Sequence, residues 1–172
     1  MTRQVFLPKF SDERDIDDFV VKLEAFEKGE INAEQFRAFR LLRGVYGQRQ
    51  TDAQMFRVKI PMGLLGPEQL VALADVADRY SRGFGHVTTR QNVQLHFLQM
   101  SEAEAVMRRF DEVGLTSREA CGNSVRNVTA CELAEVCPDA AFDVTPYAEA
   151  LVRHFLRHPL SSSLPRKFKI AF

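Results

Sequence analysis

The order of elements in this chain predicts an α+β sandwich, in which helices cover one face of an antiparallel sheet. Three observations carry that expectation. Met55 to Ile60 reads as a strand, and Pro67 opens a helix running to about Tyr80. His86 to Phe97 alternates cleanly and turns back near Arg90 and Gln91, and a further helical run stops at Gly114. Strand, helix, strand, strand, helix is the opening of a ferredoxin-like α/β sandwich. A chain of 172 residues holds one ordinary domain, or a small one with appended segments. The expected division is a helical segment at 1–50, the ferredoxin-like unit at 51–118, and the incomplete beginning of a second mixed α/β domain at 119–172.

Each element has a local cause. Ser11 followed by Asp12 and Glu13 reads as a helix start, where the N-terminal dipole favours acids. Ile16, Phe19, Val20, Leu23 and Phe26 then repeat at helical spacing until Gly29. A second helix follows Asn32, with Gln35 as its capping-box partner and Phe36, Phe39 and Leu42 on one side; it stops at Gly44. These two helices read as an appendage that packs on something else. Pro61 and Gly63 break the first strand, and Gly83 and Gly85 precede the hairpin. Ser101 is the expected cap of the next helix, with Glu104 in the capping-box position. Beyond Gly114 the expectations are one helix from about Pro146 to His158 and a terminal strand, Arg166 to Phe172.

Composition excludes several classes. Hydrophobic residues make up 45% of the chain, and with mixed charges this describes a globular protein, not a disordered or fibrous one. No stretch approaches the roughly 20 apolar residues of a membrane span, and the N-terminus turns acidic too early for a secretory signal. Three cysteines without dense spacing argue against a disulfide scaffold, so a reducing, cytoplasmic setting is expected. A net charge of zero argues against a nucleic-acid binder, yet the charge is uneven. From Arg153 onward there are five basic residues, Arg153, Arg157, Arg166, Lys167 and Lys169, and no acidic one. Such an end calls for an anion, or is a solvated tail.

Strand side chains alternate, so each strand sorts into faces. Phe56, Val58 and Ile60 share one face, as do Val93, Leu95 and Phe97, and the helices cover it. The open face then carries Arg57, Lys59, His86, Thr88, Arg90, Gln94 and His96, with Asn92 alongside. Arg57 and Lys59, about 7 Å apart, repel by roughly 2 kcal/mol at an effective dielectric near 20. A face built only for solvation more often mixes Lys with Glu; cations interspersed with Thr, Gln, Asn and His suit a large anionic ligand. In the terminal segment Lys167 and Lys169 fall on one face, while Phe168 and Ile170 fall on the other and anchor it.

In order along the chain stand GVYGQRQ (44–50), MFRVKIPMG (55–63), GFGHVTTRQNVQLHF (83–97), GNSVRNVTAC (122–131) and LPRKFKIAF (164–172). Taken together, with their spacing, these segments resemble the sirohaem-dependent sulfite and nitrite reductases over about residues 33 to 172. The resemblance implies a ferredoxin-like half-domain leading into a sirohaem-binding domain, here only begun. It implies that Arg57, Arg126, Lys167 and Lys169 surround the open face of the haem iron and bind the substrate oxyanion. It assigns Thr88, Thr89, Arg90 and Gln91 to contacts with the carboxylate-rich macrocycle, and extends to Gln94 and His96. Asn127 would line the site, and Lys59 stands where the family has a basic residue. His86 departs from relatives, which often carry arginine there.

The family's chemistry is the six-electron reduction of sulfite to sulfide or of nitrite to ammonia. Fixed cations suit it, because they bind the anion and offset charge as electrons arrive. Arginine is a permanent planar donor, whereas a lysine pressed by neighbouring cations can release a proton. Arg57 and Arg126 are thus expected as anion clamps, and Lys167 and Lys169 as proton donors. A 4Fe-4S cluster is implied too, its cysteines lying outside this sequence. Cys121, Cys131 and Cys137 lack a Cys-x-x-Cys pair and read as structural. His96 is not expected as an axial ligand.

Expected partners are sulfite or nitrite, an electron donor such as ferredoxin or a reductase subunit, and the missing C-terminal half; nucleic acid and membrane are not. The chain reads as a fragment unable to turn over alone. Two alternatives compete. Precorrin-modifying oxygenases of cobalamin synthesis share the half-domain plan but would lose the anion-binding cations. A non-enzymatic ferredoxin-like module would bind RNA or a small anion, and an RNA binder would show aromatic rings on the open face.

Overall fold

The computed structural model describes residues 7–134, 136–165 and 167–172. Its centre is an antiparallel sheet of β1 (Val45–Gly47), β2 (Gln54–Val58), β3 (Gly85–Val87) and β4 (Val93–Leu98), in the spatial order β1-β2-β4-β3. Helices α3 (Pro67–Tyr80) and α4 (Ala103–Asp111) follow β2 and β4, so β2 and β3 form a split pair around β4. This is the ferredoxin-like α+β arrangement expected from the element order. The edge beside β2 is taken by β1, a three-residue strand too short for periodicity to reveal.

Helices α1 (Glu13–Glu27) and α2 (Ala33–Leu42) are no appendage. Ile16, Phe19 and Phe36 are buried in the same core as Phe56, Val58, Leu95, Val76, Val106 and Phe110. Phe26 stacks on Phe36 with ring centres 4.7 Å apart. The Asn32–Gln35 capping box forms as expected. Asp12, not Ser11, caps α1, because its carboxylate accepts the N–H of Arg14. Likewise α4 is entered through a 3₁₀ turn, Met100–Glu102, where Glu102 accepts the Gln99 N–H at 2.8 Å. Ser101 therefore caps nothing, and Glu104 pairs with Arg108 instead.

The register of β2 against β4 shifts between Gln54 and Phe56, and Phe97 lies at φ +67°. This bulge inserts one residue and turns the strand over. Leu98 takes the inward place expected of Phe97, whose ring lies instead beneath the Arg82 guanidinium, 3.9 Å from its carbon, and edge-on to Phe84.

Past Gly114 the chain is mostly irregular. Helix α5 (Thr145–Phe155) ends three residues before the expected His158, because Leu156 is extended and Arg157 left-handed. Ala148 and Val152 of α5 form a second core with Phe10, Met62, Val128 and Ala130. The terminal segment is not a regular strand among the described residues. It makes one parallel bridge, Thr129 to Ala171, and Lys167 lies at φ +59°. That left-handed residue breaks the alternation that would have put Lys167 and Lys169 on one face. Arg166 lies outside the described residues.

Gly44, at φ +78°, joins α2 to β1; a Cβ there would meet the Ser117 carbonyl oxygen at 2.4 Å. Gly44→Ala is expected to cost more than about 2 kcal/mol in equilibrium denaturation, from backbone strain plus the clash. A loss within experimental error would show that the 117 segment yields freely.

Candidate anion-binding face

Two guanidinium groups meet at one carbonyl. Arg57 Nη1, from β2, and Arg126 Nη1, from the loop after Gly122, lie 3.3 and 3.4 Å from Ala120 O. In the amide orientation that satisfies both partners, Gln94 Oε1 accepts from Arg57 Nε at 3.0 Å and from its Nη2. Alternation along β2 and β4 thus sets Arg57 and Gln94 together, as their direct pairing requires. Cys121 is buried beside both arginines; burial pushes its thiol up, while the two cations pull it back.

The hairpin tip acts on the protein itself. Arg90 Nη2 donates to the backbone carbonyls of Asn127 and of Ile170 (2.7 Å), and its Nη1 donates to Thr129 Oγ1 at 3.1 Å. Gln91 exchanges two bonds with the Ala130 backbone, at 2.7 and 3.2 Å. Asn127, buried, donates back to the carbonyls of Ile60 (2.6 Å) and Arg90 (2.9 Å). Thr88 Oγ1 closes the turn by accepting from Arg90 N and Asn92 N. Thr89 is exposed. Of the group expected to touch a macrocycle, Arg90, Gln91 and Asn127 form a clasp that joins the sheet to the irregular segment.

Lys167 and Lys169 are exposed and flank Phe168, whose carbonyl accepts the Arg126 N–H at 2.9 Å. The backbone therefore brings these lysines beside Arg126 without a regular strand. Phe168 is 38% exposed and only approaches Phe155, so Ile170, packed on the second core, is the firmer anchor.

Lys59 is buried, with 4% exposure. Burial pushes its ammonium down to about 8, opposed by Glu119 and reinforced by Arg157 and Arg126. Glu119 sits at φ +56° and accepts from Arg157 N at 3.0 Å and Arg118 Nε at 3.4 Å. Arg157 reaches Asp15 of α1 at 2.8 Å, and Arg153 pairs with Glu149 at 2.7 Å. Two cations of the basic C-terminal end are thus paired within the fold. Glu119 and Arg157 were not legible as site neighbours, since their pairings join irregular loops across the chain. His96, flanked by Gln48 and His86, is held below the usual histidine range by burial, then by His86 and Arg57.

The three cysteines do not converge: Cys121 is buried, Cys131 exposed, and no group of three or more metal-binding side chains occurs among the described residues. The residues present thus do not form a cluster site. An acidic macrocycle or a small oxyanion fits the donors better: Arg57 and Arg126 are partly exposed, and Lys167, Lys169 and His86 are exposed.

The fold and this face define a ferredoxin-like half-domain whose open, cationic face continues into a second segment. Residues 46–113 match the nitrite/sulfite reductase ferredoxin-like half domain, and residues 121–172 match the nitrite and sulphite reductase 4Fe-4S domain. The chain belongs to the nitrite and sulfite reductase family. It is 35% identical over 117 residues to a sulfite reductase [ferredoxin] of Mycobacterium tuberculosis, covering 68% of this chain and 21% of that one. It is 33% identical over 140 residues to an assimilatory ferredoxin-dependent nitrite reductase of Haloferax mediterranei, covering 74% and 24%. The solved NirA protein of Mycobacterium tuberculosis superposes with a TM-score of 0.77 at 27% identity, covering 91% of this chain and 34% of that one. A dissimilatory sulfite reductase I shares the fold, with a TM-score of 0.61 at 20% identity over 96% and 42% of the two chains. The chain therefore spans about a fifth to a quarter of the length of the curated relatives it matches.

The buried Lys59 has a signed pH consequence. Its folded pKa of about 8 lies below its ordinary 10.5, so between these values the unfolded chain binds more protons and stability rises with pH. Below about 8 the full cost of burying the charge is present. Lys59→Met is expected to be more stable at neutral pH by about 1–3 kcal/mol, with the advantage shrinking as pH climbs through that window. Chemical denaturation of both proteins at pH values on either side checks this, and a less stable variant at neutral pH would contradict it.

Proposed function

We propose that this chain is the N-terminal part of an assimilatory-type, sirohaem-dependent sulfite or nitrite reductase, and that it supplies the cationic wall of the substrate and haem site. The observation that carries this reading is the convergence of Arg57 and Arg126 on Ala120 O. These arginines come from the two matched segments, 46–113 and 121–172. Sirohaem, when bound, would supply the iron at which six electrons reach sulfite or nitrite. A 4Fe-4S cluster would take its cysteines from outside this sequence. Sulfite or nitrite as substrate, a ferredoxin-type donor, a C-terminal half and a cytoplasmic setting belong to the same proposal. Among the described residues no helix is long and apolar enough to cross a membrane.

The residues divide the work by chemistry. Arg57 and Arg126 keep their charge throughout and clamp an oxyanion through planar donors. Lys167 and Lys169 bring two ammonium groups beside Arg126. Proton release falls to that exposed pair, whereas Lys59 is buried among the chain's own groups. Arg90, Gln91 and Asn127 act through the clasp, which fixes the hairpin tip against residues 127–130; Thr88 closes the turn, and Thr89 is the exposed residue left to meet the macrocycle. Gln94 orients Arg57. The reading against RNA no longer rests on an open face without rings, since Phe97 turns outward beneath Arg82 and Tyr46 and Phe84 are exposed; it rests on the two family matches.

In the reductase assembled with both cofactors, Arg126→Gln is expected to lower kcat/KM for sulfite or nitrite by about 10²–10³-fold while leaving the Soret band in place. Steady-state kinetics with reduced methyl viologen and an absorption spectrum read the two effects. A protein that stays colourless when expressed with sirohaem synthesis, or a variant with unchanged kinetics, sinks the proposal.

A further inference from the structure

The segment GVYGQRQ has so far contributed only strand β1, yet its Gln48 begins a bonded row on the open face. Gln48 Oε1 accepts the backbone N–H of Phe97 at 2.7 Å. A backbone N–H can only donate, so this bond settles which end of the amide is oxygen. The amide nitrogen, Nε2, is then the atom 3.2 Å from His96 Nδ1. It donates, so His96 Nδ1 accepts and the ring proton of His96 sits on Nε2. That Nε2 lies 2.9 Å from His86 Nδ1. His86 Nδ1 accepts in turn, which leaves the His86 proton on its own Nε2, on the exposed edge strand β3.

We propose that Gln48 is a positioning residue that holds His96, and through it His86, as neutral Nε2–H imidazoles, so that this edge of the face offers an anion a hydrogen-bond donor without a charge. The bulge that turns Phe97 over is what brings its N–H to Gln48. Every element around His96 supports the neutral form. Just past β1, the Gln48 N–H would face any proton on Nδ1. From β3, His86 already accepts the Nε2 proton, and from β2 the Arg57 cation opposes a second charge nearby. At the end of α3, Ser81 Oγ accepts the His96 backbone N–H at 2.7 Å and holds the residue in place.

The consequence for recognition rests on the anion-binding reading, whereas the lock is a property of this chain alone. Arg57 and Arg126 attract any anion. A neutral N–H held in one tautomer reads an acceptor oxygen and its direction, and adds no charge to a wall that is already cationic.

Two-bond proton–nitrogen spectra of the imidazoles, recorded on this chain without cofactor between about pH 6 and 8, test the lock. Wild type is expected to show His96 as the Nε2–H tautomer throughout. Gln48→Glu keeps an acceptor for Phe97 but replaces the donor facing His96 with a second acceptor. The His96 proton is then expected to move to Nδ1, with its pKa rising by about one pH unit or more. If Gln48 merely braces β1 against β4, Gln48→Glu leaves tautomer and pKa where they were. That result, or an Nδ1–H tautomer in wild type, overturns the proposal, and the wild-type spectrum decides even if the variant does not fold. Failure of sirohaem loading would strike the reductase reading and leave the tautomer result untouched.

Discussion

The second half of this structure depends on one arginine at a hairpin tip. Residues 126–130 and 168–172 have almost no regular structure, and isolated backbone bonds such as Arg126 N–H to Phe168 O leave carbonyls such as Asn127 O in need of other partners. Arg90 supplies them. Its guanidinium reaches Asn127 O, Ile170 O and Thr129 Oγ1, so two segments far apart in sequence are held at fixed spacing. Hydrogen bonds from a charged donor contribute about 1.5–3 kcal/mol each, and planarity makes them directional as well. Asn127 answers by donating to Ile60 O and Arg90 O, which ties the clasp back to the end of β2. Without it nothing regular would place Arg126 beside Arg57, since Arg126 precedes Asn127 directly in the clasped segment.

A second constraint is electrostatic. Lys59 and Glu119 are both buried, and Glu119 Oε2 has no hydrogen-bond partner. Buried charges of opposite sign offset each other's desolvation only in part. Here the compensation is spread over Arg118, Arg157 and Asp15, so that α1 and the end of α5 are drawn onto the same loop. Helices α1 and α2 are thus fastened twice, by the aromatic core around Phe19 and Phe36 and by Asp15. An N-terminal segment carrying both would be expected to fold with the sheet.

What the sequence made legible follows from range. Capping at Asn32, the span of α3 and the pairing of Arg57 with Gln94 are local or periodic, and a one-dimensional pattern carries them. The bulge at Phe97 is one residue of excess with no compositional mark, and it reversed an inward assignment. Strand β1 was too short to show a period. The clasp was visible as residues but not as a clasp: TTRQ and Asn127 read as ligand contacts because nothing local says that Arg90 will spend its donors on backbone 37 residues and 80 residues away. The same holds for Lys59, which is buried within the field of Glu119 and Arg157, both far from it in sequence. Lys167 and Lys169 were placed by an alternation that a single left-handed residue interrupts.

The meeting of Arg57 and Arg126 at one carbonyl also bears on the proposed anion site. With both donors bonded to the same oxygen, like charges sit within about 7 Å, a repulsion of about 2 kcal/mol at an effective dielectric near 20. Ala120 O offers Arg57 a partial charge, and Gln94 another. An anion that bridges the two guanidinium groups converts the repulsion into two attractions, and the clasp has already met the cost of holding them close. Preorganised cations of this kind stabilise charge that develops on a bound group more effectively than side chains that must move to reach it.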